Sequence, residues 1–342
     1  MAIVSPKERL LAVLQGGKTD RPPVICPGGM MNAAIVEIMN NTGHTLPEAH
    51  GDARLMADLA DAVHEHTGFE NLGIPFCMTV EAEILGSEVT YGTLACEPKI
   101  TREVFPSASV VQTPDIPAIL RNGRVGVVVE AAAILARRHP DIPVIGNITG
   151  PISTAASLVD PMTLLKEFRK RPADCHRVLN DVTELLIRFA EQMVESGATL
   201  ISISDPTATG EILGPKMFRE FAVPYLNRII VALHRQNVPV IVHICGNMNT
   251  VYPLLPKIRA NAISTDAVVN LRQLKAQFPQ LTTMGNLSTY LLEFGSVERV
   301  ASQTRQLVRD GVNIISPACG LSTSTSQLLI QTMTSAVKEG GK

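Results

Sequence analysis

The chain has 342 residues, of which 45% are hydrophobic and 18% are charged, and its formal net charge is -2. This length suits one large α/β barrel, while the charge and the absence of tryptophan argue against nucleic acid as a partner. No run of about 18 apolar residues predicts a transmembrane helix, and the N-terminus lacks the regions of a signal peptide. We therefore expect a cytoplasmic protein with no membrane partner.

Short apolar runs and amphipathic stretches alternate along the chain. A capping box between Ser5 and Glu8, with Pro6 at the first helical position, predicts an N-terminal helix. Further on, the apolar runs predict strands at 22–26, 143–148, 199–205, 238–245, 261–266, 281–287 and 312–318. The amphipathic stretches predict two consecutive helices in 161–197 and others at 215–237 and 296–311.

The order of these elements predicts the fold class. Strands that are continuously apolar are typical of a parallel sheet buried on both faces. Repeated βα units over this length predict an α/β fold, a (β/α)8 TIM barrel, formed as a single domain by residues 1–342. The segment near 85–120 has threonine and valine without a helical period, and we expect it to be a β-rich insertion.

In such barrels the chemistry lies at the carboxyl ends of the strands. His243 and Cys245 are two residues apart at one predicted strand end, so both side chains point to the same face. Cys319 directly follows the predicted strand 312–318, the third strand after that of His243, and Asp266 ends the next strand along the chain, 261–266. Two thiolates and an imidazole suit zinc and leave a fourth position open. The alternative is buried packing, since cysteine is among the most buried residue types.

The chain resembles the uroporphyrinogen decarboxylase superfamily from end to end. Within it, the chain is similar to the methylcobamide:coenzyme M methyltransferases. The pair His-x-Cys-Gly-Asn at 243–247 and Pro-x-Cys-Gly at 317–320 is the most specific match, because both motifs stand in the expected order and spacing. The other matching motifs are at 6–12, 20–24, 46–50, 146–151, 203–206 and 284–286.

This resemblance implies a barrel of the uroporphyrinogen decarboxylase type with N-terminal additions and one zinc ion. His243, Cys245 and Cys319 match the family's zinc ligands. Asp266 stands where the family has an exchangeable acidic ligand, which is usually the longer Glu. The implied activity is that of a zinc-dependent methyltransferase, which moves a methyl group from a methylated corrinoid to a thiol such as coenzyme M.

The chain has no Asp-x-His-x-x-Gly corrinoid-binding signature, so we expect the corrinoid to arrive on a partner protein or as a free cobamide. Asn147, Asn286 and Met78 are candidate corrinoid-binding residues at the barrel mouth. Asp205 is a candidate catalytic residue, with a hydrogen bond to a helix N-terminus or loop as an equal alternative.

Alternative functions are a methylcorrinoid:tetrahydrofolate methyltransferase, a uroporphyrinogen decarboxylase-like lyase and a barrel that only binds a corrinoid. The lyase is disfavoured, because residues 26–39 contain no Arg or Lys where the decarboxylases have an arginine-rich segment. The predicted strand ends also carry no Arg or Lys to bind a sulfonate, which counts against coenzyme M.

Overall fold

A computed structural model describes residues 4–112 and 114–340. The remaining residues of the predicted single domain, including Thr113 in its predicted insertion, lie outside this description. The strands are β1 Leu72–Ile74, β2 Glu88–Thr90, β3 Lys99–Arg102, β4 Val144–Thr149, β5 Leu200–Ser204, β6 Val240–Ile244, β7 Ala262–Thr265, β8 Thr283–Leu287 and β9 Ile314–Pro317.

Helices lie before, between and after these strands, as expected for repeated βα units. They are α1 Pro6–Leu14, α2 Val36–Thr42, α3 Ala53–Thr67, α4 Val80–Ile84, α5 Ile116–Ile119, α6 Val125–Arg138, α7 Pro151–Leu158, α8 Pro161–Lys170, α9 Pro172–Glu195, α10 Gly210–Met217, α11 Val223–His234, α12 Leu271–Gln277, α13 Thr289–Phe294, α14 Val297–Arg309 and α15 Gln327–Glu339. No helix in the described ranges is both long and apolar enough to cross a membrane.

Seven strands form one parallel sheet in the order β1-β4-β5-β6-β7-β8-β9. The predicted strand 22–26 takes the eighth position, although it forms only one bridge, between Val24 and Ile315. On its other side the Val24 carbonyl accepts a hydrogen bond of 2.9 Å from the Glu70 N–H, just before β1. The segment therefore lies between β9 and β1 and closes the sheet, which confirms the predicted (β/α)8 barrel. The sequence missed β1, which is only three residues long.

Glu70 holds this closing segment in place. Its buried carboxylate accepts hydrogen bonds from Arg9 at 2.9 Å, from Arg21 at 2.7 and 2.8 Å, and from the Val24 N–H at 3.0 Å. Burial raises the pKa of Glu70, but the hydrogen bonds from Arg21 and Val24 and the two positive charges outweigh it and lower the pKa overall. The motif at 20–24 therefore helps to close the barrel between β9 and β1.

The barrel interior changes from apolar to polar along the strands. At the amino end, inward residues of successive strands form an apolar cluster with Leu10, Val13 and Leu14 of α1, which closes the bottom of the barrel. Its strand members are Ile25, Ile145, Leu200, Ile241, Ala262, Met284 and Ile314. Two residues further along, the same inward face carries Asn147, Ser202, His243, Ser264, Asn286 and Ser316. Polar chemistry is thereby confined to the carboxyl end.

Two predicted helical regions differ in outcome. The region 161–197 forms two helices, α8 and α9, which Arg171 separates, as predicted. The region 215–237 was predicted as continuous but is irregular before α11. Gly214 has φ 64° and ψ 172°, and a π-helical turn at Phe218–Ala222 precedes α11. Pro224, in the first turn of α11, has no N–H to give to the preceding turn, which favours this break.

The predicted β-rich segment contains β2 and β3, which pair antiparallel as a hairpin. At its tip, Thr93 and Cys96 exchange backbone hydrogen bonds of 2.8 and 3.3 Å. The Thr323 hydroxyl donates a hydrogen bond of 3.1 Å to the Ala95 carbonyl. The hairpin tip is thus attached to the loop that follows β9. The predicted organisation as one domain stays a prediction.

Candidate active site

Three of the predicted site residues meet at the mouth of the barrel. His243 lies near the end of β6, Cys245 follows that strand, and Cys319 lies two residues after β9. The His243 Nε2 atom is 3.0 Å from the Cys245 sulfur, and the two sulfur atoms are 2.7 Å apart. All three candidate ligand atoms lie within 4.8 Å of one another. The structure therefore brings together the histidine and two thiols that the sequence singled out, and we call them the His/Cys cluster.

Ser264 orients the histidine of the His/Cys cluster. His243 and Ser264 are register partners on β6 and β7, and neither side chain is exposed to solvent. The His243 Nδ1 atom is 2.9 Å from the Ser264 hydroxyl oxygen. If Nδ1–H donates this hydrogen bond, Nε2 presents its lone pair to the cluster, the arrangement usual for a metal-ligating histidine. Ser264 was missed by the sequence argument, although alternation on the strand places it inward, two residues before Asp266.

The hydrogen bond between the two thiols moves their pKa values in opposite directions. The hydrogen bond with Cys245 lowers the pKa of Cys319 to about 5, and His243 contributes in the same direction. The same hydrogen bond, together with burial and the charge of Cys319, raises the pKa of Cys245 far above its usual range. One thiolate is therefore accessible at neutral pH, and a cation is needed to stabilise two.

Asp266 lies beside the His/Cys cluster and is half-buried. Its carboxylate accepts hydrogen bonds of 3.3 Å from the Gly246 N–H and 3.2 Å from the Val268 N–H. Its negative charge helps to raise the pKa of Cys245, so the two groups interact electrostatically. The carboxylate is nevertheless not one of the atoms in the three-residue group. Its role as an exchangeable ligand stays a prediction.

Asp205 occupies the N-terminus of α7 rather than the His/Cys cluster. It is fully buried, and its carboxylate accepts hydrogen bonds from the Ile152 N–H at 3.1 Å, the Ser153 N–H at 2.8 Å and the Ser153 hydroxyl at 2.7 Å. Burial raises the pKa of Asp205 to about 6 despite these hydrogen bonds. The geometry is that of a helix-capping carboxylate supplied by another strand, and a catalytic role stays a prediction.

Of the predicted corrinoid-binding residues, Asn147 and Asn286 lie near the carboxyl ends of β4 and β8, and Met78 lies in the loop after β1. The Asn147 amide donates to the carbonyls of Pro27 and Ile74. The Asn286 amide donates hydrogen bonds of 2.8 Å to the carbonyls of Asp266 and Val269. The Met78 carbonyl accepts a hydrogen bond of 3.3 Å from the Thr149 hydroxyl. None of the three belongs to the His/Cys cluster, and contact with a corrinoid stays a prediction.

A cavity of about 470 Å³ opens next to Cys319. Its walls are the tip of the β2–β3 hairpin on one side and the loop after β9 on the other. The lining residues are Met30, Ala95, Cys96, Glu97, Lys99, Cys319, Gly320, Leu321, Ser322 and Thr323. A Cβ atom at Gly320 would lie 2.6 Å from the Met30 carbonyl oxygen, so only glycine lets the loop pack this closely. A small molecule in this cavity would touch the His/Cys cluster.

Fold and site together define a parallel α/β barrel with a His/Cys cluster at its carboxyl-terminal mouth. The chain belongs to the uroporphyrinogen decarboxylase (URO-D) family, whose model matches residues 5–340. This confirms the family expected from the sequence motifs.

Its relatives include enzymes of methyl transfer. The chain is 33% identical to the methylcobamide:CoM methyltransferase MtbA of Methanosarcina acetivorans, over 99% of each chain. It is 30% identical to the methylcobamide:CoM methyltransferase MtaA of Methanosarcina barkeri, over 97% of each. A solved structure of a methyltransferase from Methanosarcina mazei superimposes with a TM-score of 0.91 at 30% identity, covering 98% of this chain and 99% of that one. The prediction of methyltransferase relatives is confirmed.

Proposed function

We propose that this protein is a zinc-dependent methyltransferase, which moves a methyl group from a methylated corrinoid to a thiol such as coenzyme M. The observation that carries the proposal is the His/Cys cluster at the carboxyl ends of β6 and β9. The names of the relatives supply the corrinoid donor and the coenzyme M acceptor.

The residues present fit a zinc ion. Two thiols and an imidazole nitrogen, all within 4.8 Å, are the donor types that zinc prefers. The opposite pKa shifts of Cys245 and Cys319 support this fit, because the second thiolate needs a nearby cation. When bound, zinc would supply Lewis acidity that lowers the pKa of an acceptor thiol. His243, Cys245 and Cys319 would hold it, with Ser264 fixing the imidazole.

The chain's own residues shape the place of reaction. The acceptor would enter the cavity beside Cys319, where Met30 and Leu321 provide apolar walls. The Met30 sulfur lies 3.8 Å from the Cys245 sulfur, so it limits the access of water to the His/Cys cluster. In the reaction the acceptor sulfur bonds to the methyl carbon and the thiol proton leaves to solvent. The cobalt–carbon bond breaks, and both of its electrons remain on cobalt.

We propose that the corrinoid is presented at the mouth by a partner corrinoid protein, where Met78, Asn147 and Asn286 would lie near it. Asp266 would be the exchangeable acidic group beside the site, because its carboxylate accepts a hydrogen bond from the Gly246 N–H, next to Cys245. A cytoplasmic location and the absence of membrane or nucleic-acid partners remain expectations.

The proposal is tested by metal content and by demethylation of methylcobalamin. We expect about one zinc per chain, and thiol-dependent release of the methyl group with coenzyme M as acceptor. Cys245→Ala and Cys319→Ala should both lose the zinc and the activity. Cys175→Ala is the matched control, since Cys175 is a buried cysteine on α9 and is not in the His/Cys cluster.

Each other outcome contradicts a defined part of the proposal. A wild-type protein without zinc after preparation free of chelators would refute the metal site. If the protein contains zinc and methylates tetrahydrofolate but no thiol, the proposed acceptor is wrong and tetrahydrofolate takes its place. If the protein decarboxylates uroporphyrinogen and transfers no methyl group, it is a lyase and not a methyltransferase.

A further inference from the structure

The cavity beside Cys319 has a wall that the strand ends do not provide. The β2–β3 hairpin reaches over the mouth, and the Thr323 hydroxyl fastens its tip to the loop after β9. Lys99 begins β3 and Glu97 lies two residues before it, and both line the cavity. The hairpin thus adds a lysine to the surroundings of the His/Cys cluster.

Lys99 is the one cationic side chain among the lining residues of this cavity. Within residues 4–112 and 114–340 it forms no side-chain hydrogen bond or ion pair, and its charge acts on Glu97 only at a distance. Arg102, on the same hairpin, differs because it is paired with Glu88 on the surface. The Lys99 ammonium is therefore available to a ligand, whereas the Arg102 guanidinium is already neutralised.

The other polar groups of the cavity are engaged. The Thr323 hydroxyl donates to the hairpin, and the Ser322 hydroxyl is 2.7 Å from the Ser324 hydroxyl. Glu97 lies near the Asn32 amide. An anionic group that enters beside Cys319 would thus find its charge complement in Lys99.

We propose that Lys99 binds the anionic end of a small acceptor thiol whose sulfur lies at the His/Cys cluster. This inference rests on the proposed function and adds the residue that recognises the negatively charged tail of the acceptor thiol. It also supplies the cation that the strand ends lack. Because Lys99 belongs to the hairpin, acceptor specificity is set by the β-rich segment and not by the barrel strands.

The test compares three thiols with a two-carbon chain and different charges. They are coenzyme M, which is anionic, mercaptoethanol, which is neutral, and cysteamine, which is cationic. With zinc-loaded protein and methylcobalamin, kcat/KM is measured for wild type, Lys99→Gln, Lys99→Arg and the control Arg102→Gln. Lys99→Gln should lower the ratio of kcat/KM for coenzyme M over mercaptoethanol about tenfold, mainly through KM. Lys99→Arg should restore most of it, and Arg102→Gln should keep the wild-type ratio.

Calorimetric titration of coenzyme M into the same zinc-loaded proteins separates this inference from the proposed function. Weaker binding of coenzyme M to Lys99→Gln alone supports the inference, whether or not any thiol is methylated. A failure to methylate any thiol would refute only the proposed function. Equal binding in wild type and Lys99→Gln overturns the inference. An equal loss in Arg102→Gln, a wild-type preference for cysteamine, or no binding of coenzyme M to the wild type overturns it as well.

Discussion

The hydrogen bond between His243 and Ser264 permits a sharp test of the metal site, because it can be removed without touching a ligand. The change Ser264→Ala deletes a hydroxyl 2.9 Å from Nδ1 in a place without solvent exposure. The Nδ1–H is then left buried without a partner, and the imidazole loses the contact that fixes its orientation.

The magnitude follows from two independent considerations. A buried donor left unsatisfied costs about 1–3 kcal/mol. Loss of an outer-shell partner of a metal-bound histidine weakens metal binding about 10- to 100-fold, which corresponds to about 1.4–2.7 kcal/mol. Part of the first cost is present in the metal-free protein too, so we expect the zinc Kd to rise about 10-fold rather than 100-fold.

The assay is competition for zinc with a chromophoric chelator, at fixed pH, together with thermal unfolding. Ser202→Ala is the matched control, because Ser202 is a buried serine on β5, the strand on the other side of β6, and its hydroxyl has no partner among the described residues. The control should keep the wild-type zinc Kd. A Kd for Ser264→Ala within twofold of wild type, or an equal rise in both variants, would refute the orienting role.

The remaining predictions concern three carboxylates. Burial raises the pKa of Asp205 from 3.8 to about 6, so its proton-linked stability is full below pH 3.8 and is lost as the pH rises through 6. Urea unfolding should show wild type losing about 3 kcal/mol relative to Asp205→Asn over that window; parallel pH profiles would contradict this. Glu70→Ala should lower the free energy of unfolding in urea by about 3–5 kcal/mol, since Arg21 and the Val24 N–H lose their carboxylate partner and Arg9 keeps only Asp20. The control Glu88→Ala, at an exposed ion pair, should lower the free energy of unfolding by less than about 1 kcal/mol. Similar losses in Glu70→Ala and Glu88→Ala would argue against the role of Glu70 in closing the barrel. Asp266→Asn should keep about one zinc per chain by metal analysis, because three ligands remain; loss of the metal would make the carboxylate a required ligand.

The sequence was sufficient for the barrel because its signals are local. Apolar runs and helical periods recur at the spacing of βα units, and they predicted six of the parallel strands close to their observed positions. The segment 22–26 was recognised as an apolar run, but its place between β9 and β1 depends on Glu70, which is 46 residues from Val24 in the chain and also binds Arg9 and Arg21. The three-residue β1 lies below what periodicity can detect.

At the site, ligand type and strand ends predicted which residues would meet, whereas their partners depended on register. His243 and Cys245 share a face by alternation, and this is visible in one strand. The hydrogen-bond partner of His243 cannot be read from one strand, because it is the pairing of β6 with β7 that places Ser264 beside the imidazole. Asp205 shows the opposite case: a polar residue at a strand end suggested chemistry, but the turn that follows β4 places the N-terminus of α7 over its carboxylate.

Neither the periodicity of apolar residues nor a position at a predicted strand end indicated Lys99 as a site residue. It belongs to a hairpin that the sequence predicted only as a β-rich insertion near 85–120. A hydrogen bond between Thr323 and Ala95, 228 residues apart, helps to hold that hairpin beside Cys319. The barrel presents the ligand atoms from strands that all members of the fold must build. The hairpin is a surface addition whose residues can change without disturbing that core. Under the proposed function, chemistry and acceptor specificity therefore reside on separate elements, and a substitution in the hairpin should change the acceptor while the zinc site is retained.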